Sequence, residues 1–416
     1  MNDAKTGSDF PNRIGYDEAL AMIAAVAARR RLPVETVPLA RAAGRVLAED
    51  VVAGVALPPF DNAAMDGFAL RAADAERART QGLRLVGDQF AGADLALQVA
   101  AGECARITTG APMPAGADAV LIRENARVDG ERVFATEAGG LRPGRHLRRA
   151  GEDVQAGDRV LVAGTRLGPA QLGLAAAVGR HDLPLYRRPT VAVFTTGDEL
   201  CPPGQPLAPG RIYDSNRALL QTLLQAEGLE PVAWPVLPDR PGPMLAALRD
   251  AAFSFDVVIT CGGVSAGDRD HLPALLREHG EIHFWRVRMK PGMPLLFAGL
   301  GEALLLGLPG NPVSVLATFL GPGRALLDGL QGLATPRRRL FARLATPFAK
   351  AHARLEFLRG RLESGADAVV QVRPDPADGS HRLRGAADAD CLLVLGEGAR
   401  DYAAGDVVEV VPLRGF

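Results

Sequence analysis

The stretch VAVFTTGDEL (residues 191–200) decides the fold, because a short apolar run there leads directly into a polar loop. A second apolar run, VVIT (257–260), repeats the pattern, and the helical stretches NRALLQTLLQAEG (216–228) and PMLAALRDAAF (243–253) lie between the two runs. Strands that alternate with helices of this length are typical of βαβ units and a parallel sheet. We therefore expect residues 186–335 to form a doubly wound, mostly parallel α/β domain with helices on both faces of the sheet.

The segments on either side of this domain show different patterns of apolar and turn-forming residues. Residues 52–150 alternate short apolar runs with Gly- and Pro-rich turns, and residues 336–416 do the same, so both predict short strands. Helical spacing appears in YDEALAMIAAVAARRR (16–31) and again within 151–185. The helical stretch within 151–185 could pack against the first helix, so that 1–51 and 151–185 would form one discontinuous helical domain. The predicted fold class is α/β multidomain, with a central doubly wound sheet, a β-rich domain and a small C-terminal β-barrel or sandwich.

The composition of the 416 residues excludes several classes of protein. A net charge of −1 and a hydrophobic share of 48% argue against a disordered chain and against binding nucleic acid through bulk positive charge. No two of the four cysteines form a CxxC pair, so neither a zinc knuckle nor a disulfide framework is indicated. The N-terminus lacks the apolar run of a signal peptide, and no run reaches the ~20 apolar residues that span a bilayer. We expect a cytoplasmic protein with no membrane segment and no nucleic-acid partner.

Three loops that leave predicted strand ends have the composition of a ligand site: TTGDEL (195–200), CGGVSAGDRD (261–270) and LPGNPVS (308–314). In an open α/β sheet, ligands bind beyond the carboxyl ends of the strands, where such loops gather. Gly262 and Gly263 would let backbone N–H groups approach a ligand, and Ser265 adds a hydroxyl. Asn311 and Pro312 begin a helix whose positive end favours an anion. The alternative is that glycines after strands merely form turns, but three such loops at one edge favour a site.

The same region carries carboxylates. Glu199, Asp268 and Asp270 lie in the first two loops, and Asp239 follows the strand between them. Carboxylates beside a phosphate-binding backbone suit Mg²⁺, which prefers one or two carboxylates plus phosphate oxygens and water. A single loop aspartate is more often a turn former or a helix cap, so the cluster matters more than its members.

Basic residues alternate along WRVRMKPGMP (285–294), where Arg286, Arg288 and Lys290 would share one face of a strand. Three cations on one face are costly to bury unpaired, so water or an oxyanion must lie opposite them. A solvated sheet edge is the alternative interpretation of this pattern.

Eight motifs are spread over most of the chain: FDNAAMDGFA (60–69), ITTGAPMPAGADAV (107–120), RRAGED (148–153), TTGDEL (195–200), IYDSN (212–216), GGVSAGDRD (262–270), MKPG (289–292) and GLPGNPVS (307–314). In this order they resemble the MoeA family of molybdopterin molybdenumtransferases, whose eukaryotic relative is the E domain of gephyrin. The resemblance implies an elongated four-domain chain that forms a homodimer. Its domains would be I at 1–51 plus 151–185, II at 52–150, III (molybdopterin-binding) at 186–335 and IV at 336–416.

The activity that the resemblance implies is the insertion of molybdenum from molybdate into adenylylated molybdopterin, with release of AMP. Mg²⁺ would be required and held by Glu199 and Asp270. Molybdate is a tetrahedral dianion, for which Lys, Arg, Ser and backbone N–H groups are suitable partners. The implied catalytic residues are Asp66, Thr109, Asp153, Glu199, Asp239, Asp270 and Lys290. The implied substrate-binding residues are Gly262, Gly263, Ser265, Arg286, Arg288, Pro309, Asn311, Pro312, Arg359 and Ser380.

Two positions depart from the family's pattern. Many members read KPGKP where this chain reads KPGMP, so Met293 replaces a cation that could help to hold molybdate. Arg286 stands where relatives often have lysine, a change that keeps the charge but alters the donor geometry.

The sequence is also compatible with two alternative functions. The α/β domain alone resembles molybdopterin adenylyltransferase, and the whole chain also resembles a non-catalytic scaffold of the gephyrin E-domain type. The partners that the resemblance implies are a second copy of the chain, a molybdopterin adenylyltransferase, and recipient molybdoenzymes or their chaperones.

Overall fold

The structure, a computed structural model, describes residues 10–92, 96–136, 140–265, 267, 270–365, 368–375 and 379–413. Its strands in chain order are β1 (Asn12–Ile14), β2 (Val34–Pro38), β3 (Val51–Val52), β4 (Asn62–Ala63), β5 (Gly67–Leu70), β6 (Leu83–Gln89), β7 (Glu103–Ile107), β8 (Ala119–Ile122), β9 (Ala126–Asp129), β10 (Arg132–Ala135), β11 (Leu147–Arg148), β12 (Arg159–Leu161), β13 (Asp182–Tyr186), β14 (Val191–Thr195), β15 (Leu200–Cys201), β16 (Ile212–Tyr213), β17 (Val232–Ala233), β18 (Val257–Cys261), β19 (Glu281–Val287), β20 (Met289–Lys290), β21 (Leu296–Leu300), β22 (Ala303–Leu308), β23 (Leu340–Leu344), β24 (Phe348–Lys350), β25 (Leu355–Ser364), β26 (Val370–Pro374), β27 (Cys391–Leu395), β28 (Arg400–Tyr402) and β29 (Val407–Pro412). Its α-helices are α1 (Tyr16–Arg29), α2 (Ala75–Thr80), α3 (Pro169–Ala177), α4 (Ser215–Ala226), α5 (Pro241–Ser254), α6 (Leu272–His279), α7 (Pro312–Thr318), α8 (Arg324–Leu330) and α9 (Leu383–Asp388). A π-helical turn, Phe319–Gly323, joins α7 to α8.

A central sheet of seven strands, in the order β1-β19-β21-β22-β18-β14-β17, organises the described part of the molecule. The strands β17, β14, β18 and β22 run parallel to one another, whereas β21 is antiparallel to both β19 and β22. Antiparallel pairing of β21 with β22 follows from the loop between them, because the two residues Gly301 and Glu302 suffice for a hairpin but not for a crossover. The predicted mostly parallel α/β sheet is confirmed.

Both faces of the central sheet are covered by helices, as its sequence predicts. Along β14, Val191 and Val193 join the apolar cluster that contains side chains of α1 and α4. Their neighbours Ala192 and Phe194 join the opposite cluster, with side chains of α5 and α6. Since alternate side chains of a strand point to opposite faces, a continuous apolar run such as VAVF requires this double coverage.

The N-terminal helix belongs to this central core. Strand β1 pairs in parallel with β19, and the buried residues Ala19, Ile23 and Ala27 of α1 lie in the same cluster as β14. Helix α1 packs against α8, where a Cβ at Gly329 would lie 2.7 Å from the Cβ of Ala27. Residues 12–29 are assigned by the sequence to the discontinuous domain; in the structure β1 extends the central sheet and α1 packs against it.

A second unit is built from two distant stretches of chain. Strand β2 pairs with β13 and β3 pairs with β12, and both pairings are antiparallel. The buried residues Val37, Leu47, Leu167 and Leu183 form its core, against which Leu172 and Leu174 of α3 pack. Helix α3 therefore contributes to a different cluster from α1. The four domain ranges given above remain a proposal.

The β-rich region and the C-terminal region each form a separate sheet. In the first, the described strands are arranged in the order β8-β5-β7-β6-β10-β9. In the second, the order is β20-β25-β26-β23-β29-β27, and an additional pairing of β25 with β27 closes five of these strands into a barrel. This confirms the predicted small C-terminal barrel. The short strand β20 joins the barrel from outside, by parallel pairing with β25.

A search of the described helices finds none with both the length and the apolar composition needed to cross a bilayer.

Candidate active site

The three loops predicted to form a ligand site lie together at the carboxyl ends of β14, β18 and β22. A Cβ placed on Gly262 would lie 2.5 Å from the Oγ1 of Thr196, and one placed on Gly310 would lie 3.8 Å from the Cα of Gly262. Gly262 also has φ = 97°. Only glycine suits this position, because any other residue would clash with Thr196 and would be strained at this φ. The close approach of the three loops is therefore fixed by the backbone.

A buried hydrogen-bond network supports the first of these loops and was missed by the sequence analysis. Asp214, only 3% exposed, accepts hydrogen bonds from the Thr195 hydroxyl at 2.7 Å and from the Arg217 backbone N–H at 3.1 Å. It is the N-cap of α4. The side-chain amide of Asn216 donates to the Gly310 carbonyl at 2.6 Å, which ties α4 to the third loop. The signal was present in IYDSN, because an aspartate directly before a helical stretch is a typical N-cap.

The predicted metal-binding carboxylates lie on these loops. The Oδ2 of Asp239 accepts from the Asp198 backbone N–H at 3.3 Å, and the Oδ2 of Asp270 accepts from the Gly267 N–H at 3.0 Å. Glu199 is exposed, and Asp268 lies outside the described residues.

The fit of these residues to Mg²⁺ rests on the chemistry of the donors. No group of three His, Cys, Asp or Glu side chains that could hold a metal converges among the residues that the structure describes. Carboxylate oxygens are nevertheless the donors that Mg²⁺ prefers, and one or two are enough when substrate phosphates and water complete the shell. The pair Glu199 and Asp270 fits that requirement.

A cleft of 460 Å³ lies between the third loop and the barrel. It brings together five predicted site residues: Lys290, Pro309, Asn311, Arg359 and Ser380. The Asn311 side-chain amide donates to the Ser380 hydroxyl at 2.9 Å, and the Val313 backbone N–H donates to the Ser380 carbonyl at 3.1 Å. These two bonds join the start of α7 to the barrel. Met293 also lines the cleft.

Lys290, one of the cations that line the cleft, is held by a buried carboxylate. The Nζ of Lys290 lies 2.9 Å from the Oε1 of Glu356, and the Nε2 of His352 lies 3.2 Å from its Oε2. Glu356 is 4% exposed and is the direct partner of Lys290 in the pairing of β20 with β25. This placement could not be foreseen, because it depends on the pairing of two strands far apart in sequence.

Arg359 is also buried and partnered. It is 4% exposed, its Nη1 donates to the Arg382 carbonyl at 2.6 Å, and its Nε lies 3.6 Å from the Oδ2 of Asp375. Glu356, which lines the cleft, is thus a residue that the sequence analysis missed, while Arg359 was found through the family resemblance.

The expected single face of three cations is wrong. Strand β19 ends at Val287, so Arg286 and Lys290 belong to different strands, and Arg286 has φ = 69°, which breaks the alternation of side chains. Arg286 lies over the Trp285 ring at 4.3 Å, and Arg288 lies 3.2 Å from Glu397. The cations are separated because the chain leaves the central sheet here and enters the barrel.

Some of the predicted backbone donors are already used inside the protein. The N–H of Gly262 donates to the Leu308 carbonyl at 2.9 Å and is therefore not directed at a ligand. Gly263, with φ = 71°, and the exposed Ser265 remain in position at the loop surface. Pro312 is the first residue of α7, as predicted, but the next N–H along the helix is taken by Ser380.

Asp66 and Thr109 form a second cluster, in the sheet of the β-rich region. The Oδ1 of Asp66 accepts from the Thr109 backbone N–H at 2.7 Å and from its hydroxyl at 2.8 Å. These hydrogen bonds hold the pKa of the Asp66 carboxyl below its usual value of 3.8. Asp153 is exposed, and its backbone N–H donates to Leu57. This cluster shares no strand with the central sheet among the described residues.

Three family models match successive parts of the chain. The MoeA N-terminal region (domain I and II) matches residues 14–179, the probable molybdopterin binding domain matches 192–327, and the MoeA C-terminal region (domain IV) matches 342–413.

Two curated proteins and one solved structure are similar to this chain over nearly its whole length. The molybdopterin molybdenumtransferase of Haemophilus influenzae is 37% identical over 384 residues, which is 91% of this chain and 94% of that protein. Molybdopterin molybdenumtransferase 2 of Mycobacterium tuberculosis is 39% identical over 390 residues, 90% of this chain and 94% of that protein. The crystal structure of the molybdopterin biosynthesis MoeA protein from Pyrococcus horikoshii matches with a TM-score of 0.79 at 29% identity and covers 96% of this chain and 99% of that one. The similarity therefore extends over the central sheet, the β-rich region and the barrel.

Proposed function

Because the chain belongs to the MoeA family of molybdopterin molybdenumtransferases, we propose that it inserts molybdenum from molybdate into adenylylated molybdopterin and releases AMP. It is a transferase of molybdenum cofactor biosynthesis whose substrates are molybdopterin and molybdate. The observation that carries the finer proposal is the cleft at the start of α7, where Lys290, Asn311, Arg359 and Ser380 meet.

The cleft has the donors that a tetrahedral dianion needs. Lys290 and Arg359 supply positive charge, and the Asn311 amide and the Ser380 hydroxyl supply neutral donors from opposite walls. Because each cation already lies beside a carboxylate, its direction is fixed before the dianion enters. Pro309 lines one wall of the cleft, and Pro312 is the first residue of α7.

The loops at the carboxyl ends of β14 and β18 would hold the nucleotide end of the pterin substrate. Gly263 and Ser265 can approach phosphate oxygens, and Asp239 orients the first loop through the Asp198 N–H. Glu199 and Asp270 would hold Mg²⁺ beside them. When bound, Mg²⁺ would neutralise charge on the phosphoanhydride and on the departing AMP.

We propose further that the protein is a homodimer with shared active sites. Asp66, Thr109 and Asp153 lie in or beside the β-rich region, whose sheet is separate from the central one. Phe60 and Met65, within the same FDNAAMDGFA motif, are each 43% exposed. Exposed apolar side chains next to functional carboxylates suit a surface that a second copy covers.

The test of the activity is a reaction of the full chain with adenylylated molybdopterin, Mg²⁺ and molybdate, in which AMP and finished cofactor are measured. Lys290→Ala should abolish most cofactor formation, whereas Arg338→Ala, which removes an exposed cation from the segment before the barrel, should not. Wild-type protein that consumes no adenylylated substrate would overturn the proposal.

The adenylyltransferase and scaffold alternatives are not favoured. The matches at 14–179 and 342–413 lie outside the α/β domain, which alone resembles the adenylyltransferase. We propose an adenylyltransferase as the supplier of the substrate, and molybdoenzymes or their chaperones as recipients of the product.

A further inference from the structure

A second cavity lies on the barrel next to the cleft. It has a volume of 690 Å³ and is formed by residues of β25, β26 and α9 and of the segments next to them. Its charged lining consists of Arg361, Arg373, Arg382, Arg384, Asp375 and Asp388. Four guanidinium groups against two carboxylates leave a charge of +2 in one concavity, in a chain whose net charge is −1. We call it the arginine cavity; its size lies within the ~300–1,000 Å³ typical of small-molecule sites.

The two carboxylates do not neutralise this charge. Asp388 lies 3.9 Å from Arg361, a distance at which the attraction between exposed groups is weak. Asp375 lies 3.6 Å from Arg359, a further arginine that is not counted in the lining. Arg373 lies 3.4 Å from Glu363, a carboxylate outside the lining. With Arg359 and Glu363 included, five guanidinium groups face three carboxylates among the residues that the structure describes, so an excess of positive charge remains.

Arg382 and Arg384 are the cations that distinguish this cavity from the cleft. Both side chains are exposed, and neither makes a hydrogen bond or an ion pair with a residue that the structure describes. In the cleft, by contrast, Lys290 lies beside Glu356. Like charges gathered in a concave surface repel one another, and a bound anion relieves that repulsion.

One side of the cavity is held in place by buried contacts. A Cβ placed on Gly385 would lie 2.7 Å from the Oδ2 of Asp375 and 3.1 Å from the Nη1 of Arg359. Glycine at this position therefore lets the backbone of α9 pack closely against the Asp375–Arg359 ion pair. Arg359 is 4% exposed, and its Nη1 donates to the backbone carbonyl of Arg382. A buried guanidinium thus fixes the backbone that carries Arg382.

We propose that the arginine cavity binds a doubly charged tetrahedral oxyanion, either free or as the phosphate group of a small molecule such as a nucleoside monophosphate. The guanidinium group is planar and always charged, and its parallel N–H donors match two oxygens of such an anion. This site is distinct from the cleft, and its existence does not depend on the transfer reaction.

The experiment counts bound anions by equilibrium dialysis of the full chain against phosphate, molybdate and AMP, each used separately. The test variant is Arg382→Ala/Arg384→Ala. The matched control is Arg249→Ala/Arg338→Ala, which removes the same charge from exposed positions outside both cavities. Thermal unfolding verifies that each variant is folded, and Arg382→Lys/Arg384→Lys, which keeps the charge but loses the paired donors, provides a second test.

We expect the number of anions bound per chain to fall by one in the test variant, because each lost charge-assisted contact weakens binding roughly ten- to hundredfold. The control should bind as the wild type does, and the lysine variant should bind more weakly than the wild type. Tighter binding of AMP than of phosphate would identify a phosphate ester as the ligand, and the reverse a free oxyanion. A test variant that binds all three anions like the wild type, or a control that loses as much, would overturn the proposal. If the cleft binds no anion but the arginine cavity does, the wild type should bind one anion per chain and the test variant none.

Discussion

Lys290 and Arg359, two of the cations that line the cleft, lie beside carboxylates before any substrate is present. Glu356 and Asp375 are their partners, at 2.9 Å and 3.6 Å. Such pairs fix the direction of a side chain, but each carboxylate also offsets the charge that would attract a dianion. An added cation without a partner should therefore affect oxyanion binding more strongly than its single charge suggests.

Met293→Lys would supply that cation. The side chain lines the cleft, so we expect the variant to lower the molybdate concentration needed for half-maximal cofactor synthesis by roughly ten- to hundredfold. The nucleotide requirement should not change. Val128→Lys, which adds the same charge on the exposed strand β9, serves as the control. If molybdate dependence stays the same in a folded Met293→Lys protein, the residue only fills space.

The Asp66–Thr109 pair allows a prediction about pH. The Thr109 N–H and hydroxyl lower the pKa of Asp66, so Thr109→Ala should raise it part of the way back toward 3.8, whereas Thr109→Ser should not. Because the folded pKa is depressed, the stabilisation is complete above the unfolded pKa and is lost as pH falls through the folded one. Carboxyl NMR titration measures the shift, and an unchanged pKa in Thr109→Ala would contradict the assignment.

Among the elements, helix α4 and the loop after β14 depend on each other through a single buried carboxylate. Asp214 caps the helix and also accepts a hydrogen bond from Thr195 at the end of the strand. One side chain thus sets the distance between the helix start and the loop that carries Glu199.

Asp214→Ala should destabilise the fold by ~2–4 kcal/mol, since it removes the cap and leaves the Thr195 hydroxyl and the Arg217 guanidinium without their acceptor. Asp214→Asn keeps one acceptor oxygen and should cost less. Urea unfolding measures both variants. Equal loss in the two would show that charge, rather than the hydrogen bonds, is what matters.

The loops after β14 and β18 carry the prediction about the metal. Glu199→Gln and Asp270→Asn should each slow AMP release by at least about tenfold and raise the Mg²⁺ concentration required, because each removes a charged oxygen ligand. Thermal stability should hardly change in Glu199→Gln, whose side chain is exposed. Glu302→Gln, in the hairpin between β21 and β22, is the control. Wild-type Mg²⁺ dependence in both loop variants rules the assignment out.

For the molecule as a whole, the proposed active site is divided between separate sheets. The cleft joins the central sheet to the barrel through Asn311 and Ser380, whereas Asp66 and Thr109 lie in the sheet of the β-rich region. A site that needs both clusters is completed most simply by a second copy of the chain.

Mixing Asp66→Ala and Glu199→Ala chains tests this arrangement. If each site takes Asp66 from one subunit and Glu199 from the other, a mixed dimer contains one intact site and one with both changes. Activity should therefore reappear on mixing, to about a quarter of the wild-type level for random exchange, because half the dimers are mixed and each has one working site. Subunit exchange is verified with differently tagged chains. Verified exchange without recovered activity would argue that each site lies within one chain.

The local sequence pattern determined much of this protein's fold. The apolar run VAVF had to become a strand covered on both faces. Glycine at position 262 allows a close approach to Thr196, but its N–H donates to Leu308 and not to a ligand as predicted. The family and its loops were likewise readable from motifs. Only the tertiary structure decided that β1 pairs with β19 in the central sheet and that Lys290 faces Glu356. These are pairings between strands distant in the chain, and a shift of one residue in such a pairing reverses every side chain, so no local period can specify them.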